Sequence, residues 1–296
     1  MHADPAPTDP IYRFTALGRR LDPDEPTNLA VLWSMPVGAL IVAVLAPMLP
    51  GLTGTPRLLA AGEGAAVVLG TWALGRELAP DDPRAAFFAL ALGFAVLLAV
   101  PDGSIVLLFA TLLLVRIVNR SVGLAPRTID GILAMVLVGW AIFVTKSYGV
   151  GLVAAVAFGL DARLEGGRRR QWGFAGLCLL MVGILASTQL SRIPLHATEV
   201  ELAVPARAVL VAVLVTVALF VRTIVRTGTL ASVADATAEP LSPRRIRFGM
   251  GIALLMAAQS LTLGDTGARH GGFLWACLAG VAVSSIAPPG TGPDGA

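Results

Sequence analysis

Ten apolar stretches divide this chain, at residues 29–50, 57–75, 85–100, 104–118, 128–145, 147–160, 171–189, 207–226, 247–263 and 271–288. A membrane crossing needs about 20 apolar residues over about 30 Å of hydrocarbon. With 56% hydrophobic and only 14% charged residues, the chain has too little polar surface to enclose a soluble globule of 296 residues. The expected fold is an all-α, polytopic integral membrane helix bundle of about ten transmembrane helices. The fourth and sixth stretches are short and lie in tight hairpins, turned at Pro101-Asp102-Gly103 and at Lys146-Ser147-Tyr148-Gly149. Tilting, re-entry or merger of one of them would leave nine crossings.

The connecting segments divide by charge. Seventeen of the 22 Lys and Arg residues fall in alternate connections: Arg13, Arg19 and Arg20, then Arg76 and Arg84, then Arg116, Arg120 and Arg127, then Arg163 and Arg168 to Arg170, then Arg222, Arg226, Arg244, Arg245 and Arg247. The other five are Arg57, Lys146, Arg192, Arg207 and Arg269. Because basic loops resist translocation, the rich set is expected in the cytoplasm, with both termini inside and the chain in the plasma membrane. Basicity of this kind reads as topology and contact with anionic headgroups in the bilayer, and not as nucleic-acid binding. Residues 1–28 and 289–296 are then cytoplasmic tails around a bundle at 29–288.

Cys178 and Cys277 lie inside apolar stretches and offer neither a disulfide framework nor zinc spacing. The first 28 residues lack the apolar core of a cleavable signal peptide, so the first crossing is expected to be an uncleaved anchor. Ile11, Phe14, Leu17 and Leu21 recur at helical spacing among arginines, which suggests a short interfacial helix; the alternative is a disordered basic lead-in. Residues 190–206 form a longer outer connection. Residues 227–246 form an inner one, read as a linker or as a loop over a cytoplasmic mouth. Glycines within the crossings, among them Gly62, Gly64, Gly70, Gly149, Gly151, Gly249 and Gly251, read as packing faces.

Two constellations carry candidate chemistry. Glu63 is the only acid well inside an apolar stretch, about 9 Å inward of Arg57, and such acids often mark ion or proton paths. Gln259 lies at comparable depth and reads as interhelical glue or as a partner for Glu63. At the basic edge, Arg76, Arg116, Asn119, Arg120 and Arg163 offer donors to a phosphate, since arginine forks match phosphate oxygens. Glu77, Asp81 and Asp161 are acids that topology does not require, and paired carboxylates hold Mg²⁺ through substrate phosphates.

The segments GRELAPDDPRAAF (75–87), RIVNRSVGLAP (116–126) and DARLEGGRRR (161–170) follow the second, fourth and sixth stretches. In these positions the chain resembles the UbiA-type membrane prenyltransferases, with the family's N-D-x-x-D-x-x-x-D motif degraded to Glu77, Asp81 and Asp82, and its second motif to Asp161 and Glu165. The resemblance covers residues 57–170. It implies a cytoplasmic mouth that binds or transfers a lipid or polyprenyl phosphate, with Arg116, Arg120 and Arg163 on phosphate and Mg²⁺ on Glu77, Asp81 and Asp161. Two other readings stand beside it: a secondary transporter built around Glu63 and Gln259, and a noncatalytic membrane subunit or scaffold.

Overall fold

A computed structural model describes residues 10–19, 21–49, 51–100, 102–190 and 207–286. Ten helices follow the ten apolar stretches: α1 (Pro26–Leu45), α2 (Arg57–Leu78), α3 (Pro83–Ala99), α4 (Ile105–Asn119), α5 (Thr128–Thr145), α6 (Gly149–Arg163), α7 (Arg170–Leu190), α8 (Arg207–Arg226), α9 (Pro243–Ser260) and, after the short α10 (Gly264–His270), α11 (Gly272–Ser284). Six helical spans among the described residues are long and apolar enough to cross a membrane. They comprise α1, α2, α5, α7, α8 and the run from α9 through α10. Helices α3, α4 and α11 are apolar but shorter. Of the connection 190–206, expected on the outside, residues 191–206 with Arg192 lie outside the described residues, as do residues 1–9 and 287–296 and Arg20.

Local chemistry sets the helix starts. Pro83 occupies the first position of α3 after Asp82, whose carboxylate accepts the Arg84 backbone N–H at 3.1 Å. Ser104 caps α4 through the N–H of Leu107. Asp130 folds back to accept the Arg127 backbone N–H at 2.7 Å at the head of α5. The start of α1, the ends of α2, α4 and α6, the starts of α5 and α9 and the end of α8 are tied together at one end of the bundle. The Ser104 N–H bonded to the His270 carbonyl and the Ser147 hydroxyl bonded to Gln259 belong to the opposite end. The arginine-rich connections therefore share one end.

Helix α4 is the axis. It packs against α2, α5, α6, α9 and α11, and Leu107, Leu108, Leu114, Val115, Ile117 and Val118 are fully buried. At 15 residues, α4 and α6 each rise only about 22 Å. A helix shielded by neighbours does not have to span the hydrocarbon against lipid. Small residues allow close approach: a Cβ on Gly64 of α2 would stand 2.6 Å from the Gly38 carbonyl oxygen of α1, and one on Gly280 of α11 would stand 2.5 Å from the Ala89 nitrogen of α3. Gly62 and Gly251 face open space, so not every glycine in the apolar stretches serves packing. Helix α8, by contrast, packs mainly against α11 and α9. It leaves Val211, Leu214 and Val215 exposed.

Two segments differ from the sequence reading. The N-terminal segment is neither an interfacial helix nor a loose lead-in. After a 3-10 turn at Pro10–Arg13 it runs as a strap into the bundle, burying Tyr12, Ala16 and Leu17 while Phe14 stays exposed. The spacing of Ile11, Phe14, Leu17 and Leu21 misled because the buried apolar groups alternate with backbone anchored by hydrogen bonds. The Thr15 hydroxyl and the Ala16 N–H donate to Asp130 at 2.5 and 3.0 Å, and Arg127 donates to the Tyr12 carbonyl at 2.8 Å. The connection after α8, residues 227–242, is an ordered cap. The N–H groups of Asp235 and Ala236 pair with the carbonyls of Ser121 and Val122, and Val233 bridges Pro240.

Candidate functional site

The ends of α2, α4 and α6 converge through charge. Glu77 closes α2 with a fully buried carboxylate that accepts the Arg116 Nε at 3.0 Å and the Ser121 hydroxyl at 3.1 Å, with Arg19 Nη1 at 3.7 Å. Asp161 on α6 is equally buried; it accepts Arg120 through Nε at 2.8 Å and Nη2 at 3.1 Å, and Arg245 Nη1 of α9 at 3.0 Å. Arg116 and Arg120 lie four residues apart and so serve acids on two flanking helices. Asn119 donates to the Glu77 carbonyl at 2.8 Å. Arg120 stands in the left-handed region, φ 51°, where a non-glycine side chain costs about 1 kcal/mol or more. Its two-pronged grip on Asp161 holds it there.

These pairings decide what the sequence-predicted residues can do. A buried carboxylate needs a cation and hydrogen bonds to be tolerated; Asp161 obtains both from arginines on its two oxygens, whereas Glu77 is paired through Oε1 alone, its Oε2 having no hydrogen-bond partner among the described residues. Asp81 is exposed and accepts the backbone N–H groups of Ala231 and Ser232 at 3.0 and 2.8 Å, clasping the cap after α8. Its partial burial raises the carboxyl, but the bonds from Ser232 and Ala231 outweigh that and hold it below the usual value of 3.8. Glu77, Asp81 and Asp161 are thus engaged separately, and no three His, Cys, Asp or Glu side chains group as a metal would need among the described residues. They do not fit the Mg²⁺ role that the resemblance implies. Arg163 is exposed and makes no ion pair among the described residues.

Glu63 and Gln259 are not partners. Gln259 accepts the Ser147 hydroxyl at 2.5 Å and donates to the Met256 carbonyl at 3.0 Å, joining α9 to the turn before α6. Glu63 is half-buried on α2, and its Oε2 is buried without a hydrogen-bond partner among the described residues.

Beside the Glu77 network lies a cavity of about 580 Å³, bounded by the strap, α1, α2 and α4. One wall is apolar: Leu69, Trp72, Ala73, Phe109, Leu112 and Leu113. The other end is charged, with Arg19, Arg76 and Arg116 and with Asp22, Glu25 and Asp235. Arg19 is held by Asp235 at 2.6 Å. Its burial disfavours the charge, yet Glu77 and Asp235 more than compensate and push its basicity up. Arg76 differs. It donates to the Thr27 hydroxyl at 2.9 Å and lies over the Trp72 ring, 5.5 Å from its centroid, but makes no ion pair among the described residues. Trp72 is only 5% exposed, and its indole N–H has no acceptor among the described residues.

The residues that the sequence reading missed are Trp72, Arg19 and the acids Asp22 and Glu25. A signal was present in Trp72 and Arg76, an aromatic and a cation one helical turn apart at the basic edge. A second cavity, about 810 Å³, opens at the opposite end between α3, α8 and α11 and is lined mainly by apolar groups such as Leu92, Val96 and Val213. Ligand sites combine an apolar wall with a few converging polar groups, and the 580 Å³ cavity has both. No family model matches the chain, and no curated protein or solved structure is significantly similar to it.

Proposed function

We propose that the protein spans a membrane with its arginine-rich end in the cytoplasm and there binds a lipid carrying a phosphate headgroup. The carrying observation is the pair Arg76 and Trp72, a guanidinium in no ion pair and an indole N–H with no acceptor among the described residues, in the wall of a cavity that is apolar along one side. A phosphate oxygen satisfies the guanidinium better than water does in a low-dielectric site. The hydrocarbon chain lies along Leu69, Phe109 and Leu113. In this reading all ten apolar stretches cross, which agrees with the alternation of basic connections. The metal-assisted transfer chemistry of the prenyltransferases is no part of it, because the acids it requires are committed to arginines and backbone.

The test is retention of lipid by the purified protein in detergent, measured by native mass spectrometry with a phospholipid against diacylglycerol. Phospholipid retention and its loss by about tenfold or more in Arg76→Gln are expected, the scale of one charge-assisted hydrogen bond. Equal retention of diacylglycerol, or an Arg76→Gln variant that binds as the parent does, would refute the proposal. A second reading, proton-coupled transport, is favoured by one observation, the buried Oε2 of Glu63, which has no hydrogen-bond partner among the described residues. It predicts that Glu63→Gln abolishes proton-driven flux in proteoliposomes, and unchanged flux would end it.

A further inference from the structure

The charged end of the 580 Å³ cavity is not simply basic. Three of its groups are committed to one another or to the network behind them: Arg19 to Asp235 at 2.6 Å, and Arg116 to Glu77 at 3.0 Å. What remains is one cation, Arg76, and two carboxylates, Asp22 and Glu25, which are exposed and make no ion pair among the described residues. Asp22 is fixed in place by accepting the Asp24 N–H on Oδ1 at 3.1 Å. Glu25 is the residue before α1, while Thr27, in the first turn of α1, holds Arg76. These three groups, in no ion pair among the described residues, therefore line the same cavity with opposite sign.

A headgroup that is only anionic meets attraction at Arg76 and repulsion from two acids. A headgroup that pairs its phosphate with a cationic nitrogen a few bonds away matches both. We infer that the lipid bound here is zwitterionic, an aminophospholipid whose phosphate engages Arg76 and whose ammonium engages Asp22 and Glu25. This rests on the lipid-phosphate reading above and deepens it to a substrate class. The ammonium supplies N–H donors to carboxylates that accept them. Because both acids are exposed, they act on selectivity more than on overall affinity.

The experiment is a competition on the full-length protein in detergent, with phosphatidylethanolamine, its N-acetylated derivative, phosphatidylglycerol and phosphatidate at equal concentration, read by native mass spectrometry. Phosphatidylethanolamine is expected to be retained about fivefold over the other three, the scale of two exposed charge pairs. The Asp22→Asn, Glu25→Gln double variant is expected to keep its thermal midpoint, still bind phospholipid, and lose that preference. A parent protein that prefers phosphatidylglycerol or phosphatidate, or that retains N-acetylated and free amine equally, overturns the inference while leaving phosphate recognition standing. Failure to retain any phospholipid removes the underlying reading, and the inference with it.

Discussion

Removal of the Asp161 carboxylate tests whether the charge network holds the bundle together. Its side chain is fully buried and accepts three N–H bonds, two from Arg120 and one from Arg245, whose own side chains are only 10% and 8% exposed. Asp161→Ala leaves two guanidiniums buried without their counter-charge, a change that costs about 3–5 kcal/mol. For a chain of this size, that corresponds to a fall of about 6–10 °C in the unfolding midpoint. Cys178 and Cys277 are free and buried, so a thiol-reactive fluorophore added to the detergent-solubilised protein reports unfolding directly. Asp161→Asn retains one acceptor oxygen and is expected to fall between parent and alanine variant. Replacing the triad together, Asp161→Leu with Arg120→Met and Arg245→Met, is expected to restore much of the loss, because an apolar triad carries no desolvation penalty. An alanine variant within about 2 °C of the parent would refute the assignment of a buried, mutually dependent network.

Three further outcomes are expected. Gly280→Val forces α11 from α3 and is expected to cost about 1–3 kcal/mol, whereas Gly173→Ala, which meets nothing within 4 Å, is expected to leave the midpoint unchanged in the same thermal assay. Asp130→Ala removes the two strap bonds from Thr15 and Ala16 and is expected to speed tryptic cleavage after Arg13 and Arg19 severalfold without unfolding the bundle; an unchanged cleavage rate would contradict their part in holding the strap. Asp81 is held below its usual value of 3.8, so its clasp contributes above that pH and is lost as pH falls through the lower folded value. Hydrogen exchange at the Ala231 and Ser232 amides is expected to lose protection in that acidic window, and Asp81→Asn to weaken it already at neutral pH.

The helices were legible because the spacing of apolar stretches and turns fixes where a chain can form them; even the short fourth and sixth stretches became the 15-residue α4 and α6. Boundaries moved inward or outward where caps intervened, as at Pro243, four residues before the apolar run of α9. The charged residues at the helix ends were also legible as a group, but their roles were not. Glu77 and Arg116 are 39 residues apart, and Asp161 and Arg120 are 41 apart. Nothing local tells a reader that these acids and arginines satisfy each other instead of a ligand. Burial decides that, and burial follows from tertiary packing around α4. The cavity was illegible for the same reason, since its wall combines the strap with α1, α2 and α4.

The strap has a consequence for biogenesis. Its anchors lie far downstream: Ala16 bonds Asp130, 114 residues later, and Arg19 bonds Asp235, 216 residues later. At ribosomal speeds of about 5–20 residues per second, the strap waits roughly 10–40 s after its own synthesis for its last partner to be made. During that interval it must remain near the nascent bundle without its final contacts, so the strap, made before the helices it joins, is among the last pieces to lock. Closure of the cavity wall is thereby a late event in synthesis, and a truncated chain ending before Asp235 would leave that wall open.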